Sequence, residues 1–291
     1  MLQRSLCLKR FRITCFWIEE ELRKASRLSA LEEKMSLPET PRANLLGIGI
    51  SAVNMPEALR LIHSALARGE KGYICVTGVH GIMEAQRDPC FKRILNDSFL
   101  TTPDGLPTVW VGKIQGHSAM ARVYGPDLML EVCKHSKESG LTHFLYGGKA
   151  GVAELLRSSL TAKFPGVKIV GSCTPPFRNL NAQEEEELQQ LITRLKPDVF
   201  WVGLSTPKQE RFMAAYLPRL ETKLMIGVGA AFDIHAGLLR DSPDWVKRAG
   251  LQWCHRLLQE PQRLWKRYLL NNPRFLWKIA FQLGGLTRYR L

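Results

Sequence analysis

The chain has 291 residues, of which 45% are hydrophobic and 23% charged. This is the composition of an ordinary globular protein, and it argues against wholesale disorder or a fibrous repeat. The seven cysteines are scattered without a CxxC pair. Neither a disulfide framework nor a structural zinc site is therefore expected, and a reducing cytosol fits best.

The formal net charge of +14 is concentrated near the C-terminus. Residues 240–291 carry 11 Lys and Arg against 3 Asp and Glu, together with four of the seven Trp. Basic residues mixed with Trp and Leu favour a helix on an anionic membrane surface, whereas nucleic acid would require only the charge and is not expected as a partner. A core-packed helix with a solvated basic face stays open. No apolar run approaches the ~20 residues of a transmembrane span, which leaves peripheral contact.

The N-terminal segment, residues 1–43, is interpreted as an extension that precedes the folded core. Its apolar run at residues 13–18 is too short for a secretory signal. Met35 opens a more typical start than Met1, and the choice between the two stays open. A native peptide spanning residues 4–12, found by mass spectrometry, would refute a start at Met35.

From residue 45 onward, short apolar runs alternate with amphipathic stretches, which predicts an α/β fold with a Rossmann-like, mostly parallel sheet and helices on both faces. The α/β core is placed at residues 44–239, and residues 240–291 form a helical appendage. The predicted strands are residues 44–50, 72–77, 141–146, 167–172, 198–203 and 223–227. The predicted helices are residues 55–67, 81–96, 126–138, 151–164, 182–195 and 208–220, followed by an all-helical region from residue 245 with breaks at Pro261 and Pro273.

The loops that follow the strands are the place to search for a site, because open α/β sheets bind ligands there. Gly147 and Gly148 lead from a strand into a helix, where glycines allow backbone N–H groups to approach a phosphate. A tight turn explains them equally well. No acidic residue follows about 20 residues later, so NAD is disfavoured.

Three further loops carry candidate chemistry. Asp104 lies in a Pro-Asp-Gly turn, which is either only a turn or a strand-end position for a general base. Lys208 and Gln209 begin a helix and could donate to a sugar or a phosphate. The small residues at 227–233 indicate close approach by a ligand or a packing neighbour, and Asp233 is a candidate substrate contact.

The sequence predicts neither a metal nor a cofactor. No DxD, HExxH, GxSxG or Walker A motif occurs, so a bound diphosphate would have to be neutralised by protein cations. Arg256, Arg263 and Arg267 recur close to one helical face. Two ligands are possible for this row of arginines: lipid headgroups or a substrate pyrophosphate.

Six motifs in chain order resemble the WecG/TagA/CpsF glycosyltransferase family, over about residues 45–275. They are TPDGLP (102–107), RVYGPDLM (122–129), GGKAGVA (147–153), GLSTPKQE (203–210), GVGAAFD (227–233) and QWCHRLLQEPQRLW (252–265). The resemblance implies a metal-independent, inverting transferase. It would move a sugar such as N-acetylmannosamine from a UDP-sugar to a polyprenyl-diphosphate-linked acceptor in cell-wall or exopolysaccharide biosynthesis.

The resemblance also implies roles for particular residues. Asp104 matches the proposed catalytic base. The resemblance implies that the appendage helps to build the active site and to hold the enzyme on the inner face of the cytoplasmic membrane. The implied substrate contacts are Thr77, Arg122, Gln209, Arg256 and Arg263, with either Lys266 or Arg267 as a third tail cation.

Two departures put the identity of the sugars in doubt. Val79 stands where the family usually has Asn, and His80 is a candidate substitute. Asp241 opens a segment where an Arg-Ala-Pro-x-Trp run is common. The alternative function is a non-catalytic nucleotide- or glycan-binding subunit of a polysaccharide assembly complex, and a homo-oligomer is compatible with the sequence.

Overall fold

A six-stranded parallel sheet forms the centre of the molecule. The computed structural model describes residues 40–291, so nearly all of the predicted N-terminal extension, with Met35, lies outside the described residues. The strands are β1 Arg42–Leu45, β2 Ile48–Ser51, β3 Gly72–Thr77, β4 Leu100–Pro103, β5 Thr142–Gly147, β6 Lys168–Cys173, β7 Val199–Gly203 and β8 Leu224–Gly227. The strand order in the sheet is β4-β3-β8-β7-β5-β6, and β1 and β2 form a separate antiparallel pair. The predicted α/β, Rossmann-like class is confirmed.

Apolar side chains of the central strands form the core. Phe144, Phe200 and Trp201 are fully buried on β5 and β7. Strands of a covered parallel sheet are buried on both faces, which explains their continuous apolar runs. Because all six strands are parallel, their carboxyl ends lie at one edge of the sheet, where the loops converge.

One strand prediction was wrong in detail, and one strand was missed. Residues 44–50 form a hairpin instead of one strand, because Leu46 and Gly47 both have positive φ angles, the geometry of a tight two-residue turn. The strand β4 was not predicted. It has only four residues, two of them the buried Thr101 and Thr102, so it lacks a hydrophobic run.

Helices connect the strands in the predicted alternation, although the helices Leu106–Ile114 and Ala231–His235 were not predicted. They are α1 Met55–Arg68, α2 Val79–Ala85, α3 Pro89–Asn96, α4 Leu106–Ile114, α5 Gly125–Ser139, α6 Val152–Lys163, α7 Ala182–Leu195, α8 Lys208–Tyr216, α9 Ala231–His235, α10 Asp244–Arg248, α11 Gln252–Gln259 and α12 Pro261–Leu283. The single helix predicted at 81–96 is two helices, since Asp88 caps a new start by accepting from the Cys90 and Phe91 N–H groups, with Pro89 in the first turn.

The last helix runs back along the core. Pro261 begins α12 as predicted, but Pro273 lies inside it and does not break it. Buried Phe275 and Ile279 hold the helix beyond this proline, and the Leu46 N–H donates to Gln282 Oε1 at 2.8 Å near its end. Residues Pro41–Leu291 form one compact unit, and a functional boundary at residue 240 stays a prediction. None of the helices within residues 40–291 combines the length and apolar character needed to cross a membrane.

Candidate active site

A cleft with two lobes lies beyond the carboxyl ends of β4, β3, β8 and β7. We call the part beside α4 the α4 lobe and the part beside the start of α8 the α8 lobe. Both are lined by Asp104, Tyr124, Arg256 and Arg267. The α4 lobe is further lined by residues including Gly78, Val79, His80, Leu106, Arg122, Gly250, Gln252, Trp253 and Tyr268. The α8 lobe is further lined by residues including Gly125, Gly203, Leu204, Ser205, Thr206, Gln209, Val228, Gly229, Asp233 and Arg263.

Asp104 stands where the two lobes meet. Its backbone is fixed on both sides: its N–H donates to the Thr77 carbonyl at 3.1 Å, and its own carbonyl accepts from Arg122 Nε at 2.7 Å. The backbone of Gly125 lies close enough to the carboxyl group to favour its charged form and lower its pKa. The Oδ1 atom is buried and has no hydrogen-bond partner within residues 40–291. The turn thus leaves one carboxylate oxygen without a partner in a residue that lines both lobes.

The electrostatic surroundings of Asp104 act in opposite directions. Burial raises the pKa of its carboxyl group above the ordinary value, because it disfavours the charged form. The guanidinium groups of Arg122, Arg256 and Arg267 favour the carboxylate and limit that rise. A carboxylate in this setting is a stronger base than an exposed aspartate.

Cations of the last two helices meet at the cleft. Arg256 on α11 and Arg267 on α12 line both lobes, and Arg263 lines the α8 lobe. Glu260 pairs with Arg256 at 3.8 Å and also with Arg263, so it holds the two side chains near each other. Of the two candidates for the third cation, Arg267 faces the cleft, whereas Lys266 is exposed and lines neither lobe.

Burial also lowers the pKa of Arg267, and Arg256 and Arg263 add to this effect while Asp104 opposes it. The Nε atoms of Arg256 and Arg267 are buried without hydrogen-bond partners in the described part of the chain. Unpaired guanidinium donors next to one another are suited to an anion with several oxygens, such as a diphosphate.

One wall of the α4 lobe contains residues that the sequence did not identify as site residues. Arg122 stacks on the Tyr124 ring at 4.2 Å and donates to Gln252 Oε1. The Tyr124 hydroxyl donates to Asp241 at 3.0 Å, and Asp241 pairs with Lys247. Asp241, which opens the segment where this sequence departs from the common Arg-Ala-Pro-x-Trp run, therefore supports this wall. Only Arg122 had been singled out, because a Tyr or Gln within a motif carries no local sign of facing a cleft.

His80 lies in the α4 lobe close to the position of the missing family Asn. Its Nδ1 atom is 3.3 Å from Asn271 Nδ2. Burial, reinforced by Arg267, lowers the pKa of His80 to about 3, so the ring is neutral at physiological pH. Thr77 is buried at the end of β3 behind this lobe and does not line it.

Gln209 and Asp233 line the α8 lobe, whereas Lys208 is exposed and lines neither lobe. The Gln209 side chain is buried and its Oε1 atom lacks a partner among residues 40–291. Burial raises the pKa of Asp233, while Arg263 and Lys149 counteract this rise.

Gly147 and Gly148 lie beside the cleft without lining it. A Cβ atom on Gly147 would stand 2.6 Å from the carbonyl carbon of Gly203, and the Gly148 N–H donates to the Gly203 carbonyl at 3.1 Å. The turn requires these glycines because it packs against the end of β7. Their φ angles of 136° and 77° also favour glycine.

Comparison with known proteins agrees with this geometry. Residues 43–289 match the family described as "Glycosyl transferase WecG/TagA/CpsF family". The chain belongs to this family. It is therefore a glycosyltransferase, and the resemblance expected from the six motifs is confirmed.

Relatives of this glycosyltransferase are named N-acetylglucosaminyldiphosphoundecaprenol N-acetyl-beta-D-mannosaminyltransferase. The one from Bacillus subtilis (strain 168) is 29% identical over 66% of this chain and 72% of its own length. The one from Bacillus spizizenii is 28% identical over 71% and 78%. The one from Staphylococcus aureus (strain MRSA252) is 24% identical over 83% and 93%.

Proposed function

We propose that this glycosyltransferase moves an N-acetylmannosamine-like sugar from a UDP-sugar to a sugar carried on a polyprenyl diphosphate, with inversion at the anomeric carbon. The observation that carries this is the free, buried Oδ1 atom of Asp104 between two lobes that share Arg256 and Arg267. Two lobes allow two substrates to meet at one carboxylate. The names of the relatives supply the sugar and the lipid-linked acceptor.

In this reaction Asp104 is the general base. The acceptor hydroxyl oxygen attacks the anomeric carbon of the donor from the face opposite UDP, and its proton passes to the carboxylate. The bond between that carbon and the diphosphate oxygen breaks, and its electron pair stays on the departing UDP. Proton acceptance of this kind typically contributes ~10²- to 10⁴-fold to the rate.

The arginines stabilise the leaving group. Negative charge develops on the diphosphate as the bond breaks, and fixed cations in a partly dry site stabilise such charge strongly. Arg256 and Arg267 line both lobes, and Arg263 lines the α8 lobe. With these cations in place we expect turnover to need no added divalent metal.

Peripheral contact with the inner face of the cytoplasmic membrane is part of the proposal. Trp265, Leu269 and Leu276 are exposed on α12 next to exposed Lys266 and Arg274. On α4, Trp110 and Ile114 are also exposed, and the same helix places Leu106 in the cleft. Trp and Leu beside cations suit the headgroup region of an anionic bilayer, where the lipid-linked acceptor lies.

The direct test is UDP release by the purified full chain. Candidate UDP-sugars are combined with N-acetylglucosamine on a polyprenyl diphosphate in detergent or vesicles, with and without EDTA. We expect UDP release only when donor and acceptor are both present, and equal rates with EDTA. UDP binding without turnover for any pair would favour the non-catalytic subunit instead.

A further inference from the structure

Two adjacent polar side chains are buried at the start of α8. Gln209 is 3% exposed and Glu210 is 1% exposed. Burying an amide and a carboxyl group is costly unless each is hydrogen-bonded, so their partners show what the pair does.

One oxygen of Glu210 takes two hydrogen bonds. Glu210 Oε1 accepts from Thr206 Oγ1 at 2.7 Å and from Gln209 Nε2 at 3.1 Å. The other oxygen, Oε2, is buried and unpartnered within residues 40–291. Burial raises the pKa of Glu210, and a proton taken up would reside on Oε2, so that Oε1 accepts in either state.

The Gln209 amide is thereby oriented. Its nitrogen donates to Glu210, while its Oε1 atom has no partner in the described part of the chain. Glycines close the space around it: a Cβ on Gly227 would stand 3.1 Å from the Gln209 amide nitrogen, and one on Gly229 3.4 Å from Oε1. Gly229 lines the α8 lobe together with Gln209.

We infer that Glu210 is a positioning residue that turns the Gln209 amide so that its carbonyl oxygen accepts a hydrogen bond from a hydroxyl or amide N–H group of the transferred sugar. The sequence predicted Gln209 as a donor to a sugar or a phosphate, whereas an accepting oxygen selects a group that can donate, which phosphate oxygens cannot do. The inference rests on the proposed function for the identity of the donor, and it adds a specificity element to that site.

The test separates the sugar from the nucleotide. In Glu210→Leu the amide loses its fixed partner, and in Gln209→Met the accepting oxygen is removed. For both we expect kcat/KM for the UDP-sugar to fall about 10-fold or more, while the Kd of UDP, which lacks the sugar, changes less than twofold. Glu210→Gln keeps an accepting oxygen and should restore most of the activity lost in Glu210→Leu. Glu186→Leu makes the same substitution at an exposed site as a control.

A second readout does not depend on turnover. In the free wild-type chain the Gln209 side-chain amide protons should exchange slowly with water in NMR spectra, and Glu210→Leu should remove that protection. An equal loss of UDP affinity, or wild-type kinetics in Glu210→Leu, would overturn the inference. Fast amide exchange in the wild type would overturn it too. If the wild type neither binds UDP nor turns over while the amide is protected, the proposed function fails and the positioning by Glu210 stands.

Discussion

At the scale of single residues, the site depends on a few buried polar atoms that the fold leaves without partners. Asp104 Oδ1 and the Nε atoms of Arg256 and Arg267 are buried and unpaired within residues 40–291. Such atoms cost stability when nothing is bound, so a ligand that pairs them is favoured.

The protonation of Asp104 should govern the acid side of the pH profile. Burial raises its pKa, and only the carboxylate can take the acceptor proton, so kcat/KM should fall as the pH drops through a value above the usual aspartate range. Asp104→Asn should lower turnover by ~10²- to 10⁴-fold without changing the thermal midpoint by more than a few degrees.

His80→Gln is the matched control in the same lobe. The His80 ring, with a pKa of about 3, is already neutral over the working range, so the acid limb should stay in place. Activity of Asp104→Asn within threefold of wild type, or an acid limb that moves with His80→Gln, would contradict the assignment.

Arg267 and Lys266 are neighbours in sequence, but we expect their substitution to change kcat by very different amounts. Arg267 lies in the cleft close to Asp104, whereas Lys266 is exposed. Arg267→Ala should reduce kcat by about 10²-fold, because a cation at the leaving diphosphate is lost. Lys266→Ala should change kcat less than threefold. Single-turnover rates of UDP release measure both, and a larger effect of Lys266→Ala would reverse the choice between them.

At the scale of secondary-structure elements, α12 matters because it joins the cleft to the hairpin. Its first turns carry Arg263 and Arg267, and its far end is held by Gln282, which hydrogen-bonds the β1–β2 turn. Buried Phe275 and Ile279 pack between these two points. Packing of this segment therefore sets where the arginines stand.

Removing the central contact of α12 should weaken the fold and the site together. Phe275→Ala, at a side chain 1% exposed, should lower the free energy of unfolding by about 3–5 kcal/mol. Trp277→Ala, two residues away and 68% exposed, should change it by less than about 0.5 kcal/mol. Urea unfolding curves give both values. Equal, small effects would show that α12 is not packed on the core in solution.

At the scale of the whole molecule, charge and exposed aromatic groups are combined. The net charge is +14, and more than half of it lies in residues 240–291. Exposed apolar side chains of the same region include Trp245, Leu258, Trp265 and Trp277. Electrostatic attraction to anionic lipid and insertion of these side chains would act together.

Binding to vesicles should therefore depend on both lipid charge and tail tryptophans. Co-sedimentation should be strong with phosphatidylglycerol vesicles, weak with phosphatidylcholine vesicles, and reduced by added salt. Trp277→Ser should weaken it several-fold, whereas Phe177→Ser, at a side chain 84% exposed outside the appendage, should not. Equal binding of both variants, or binding that ignores lipid charge, would argue against membrane contact by the tail.

Much of this architecture is local information and was readable from the sequence. Five of the six parallel strands were predicted from their short apolar runs, and helix α7 was predicted with its observed bounds, residues 182–195. The errors occurred where local signals are weak or conflict. The strand β4 is short and partly polar, and residues 44–50 contain a two-residue turn within an apolar run. Helix α12 continues through Pro273 because Phe275 packs in the core beyond it.

The sequence likewise predicted only part of the candidate site. Residue types alone made Asp104 and the tail arginines candidates, because a carboxylate and clustered guanidinium groups have recognisable chemistry. The family resemblance then supplied the role of each. Only the tertiary structure placed Arg267 rather than Lys266 at the cleft, left Gln209 Oε1 buried without a partner within residues 40–291, and packed Gly147 against β7. These outcomes depend on contacts between segments far apart in the chain, and the direction in which a side chain points is set by such contacts and not by its neighbours in sequence.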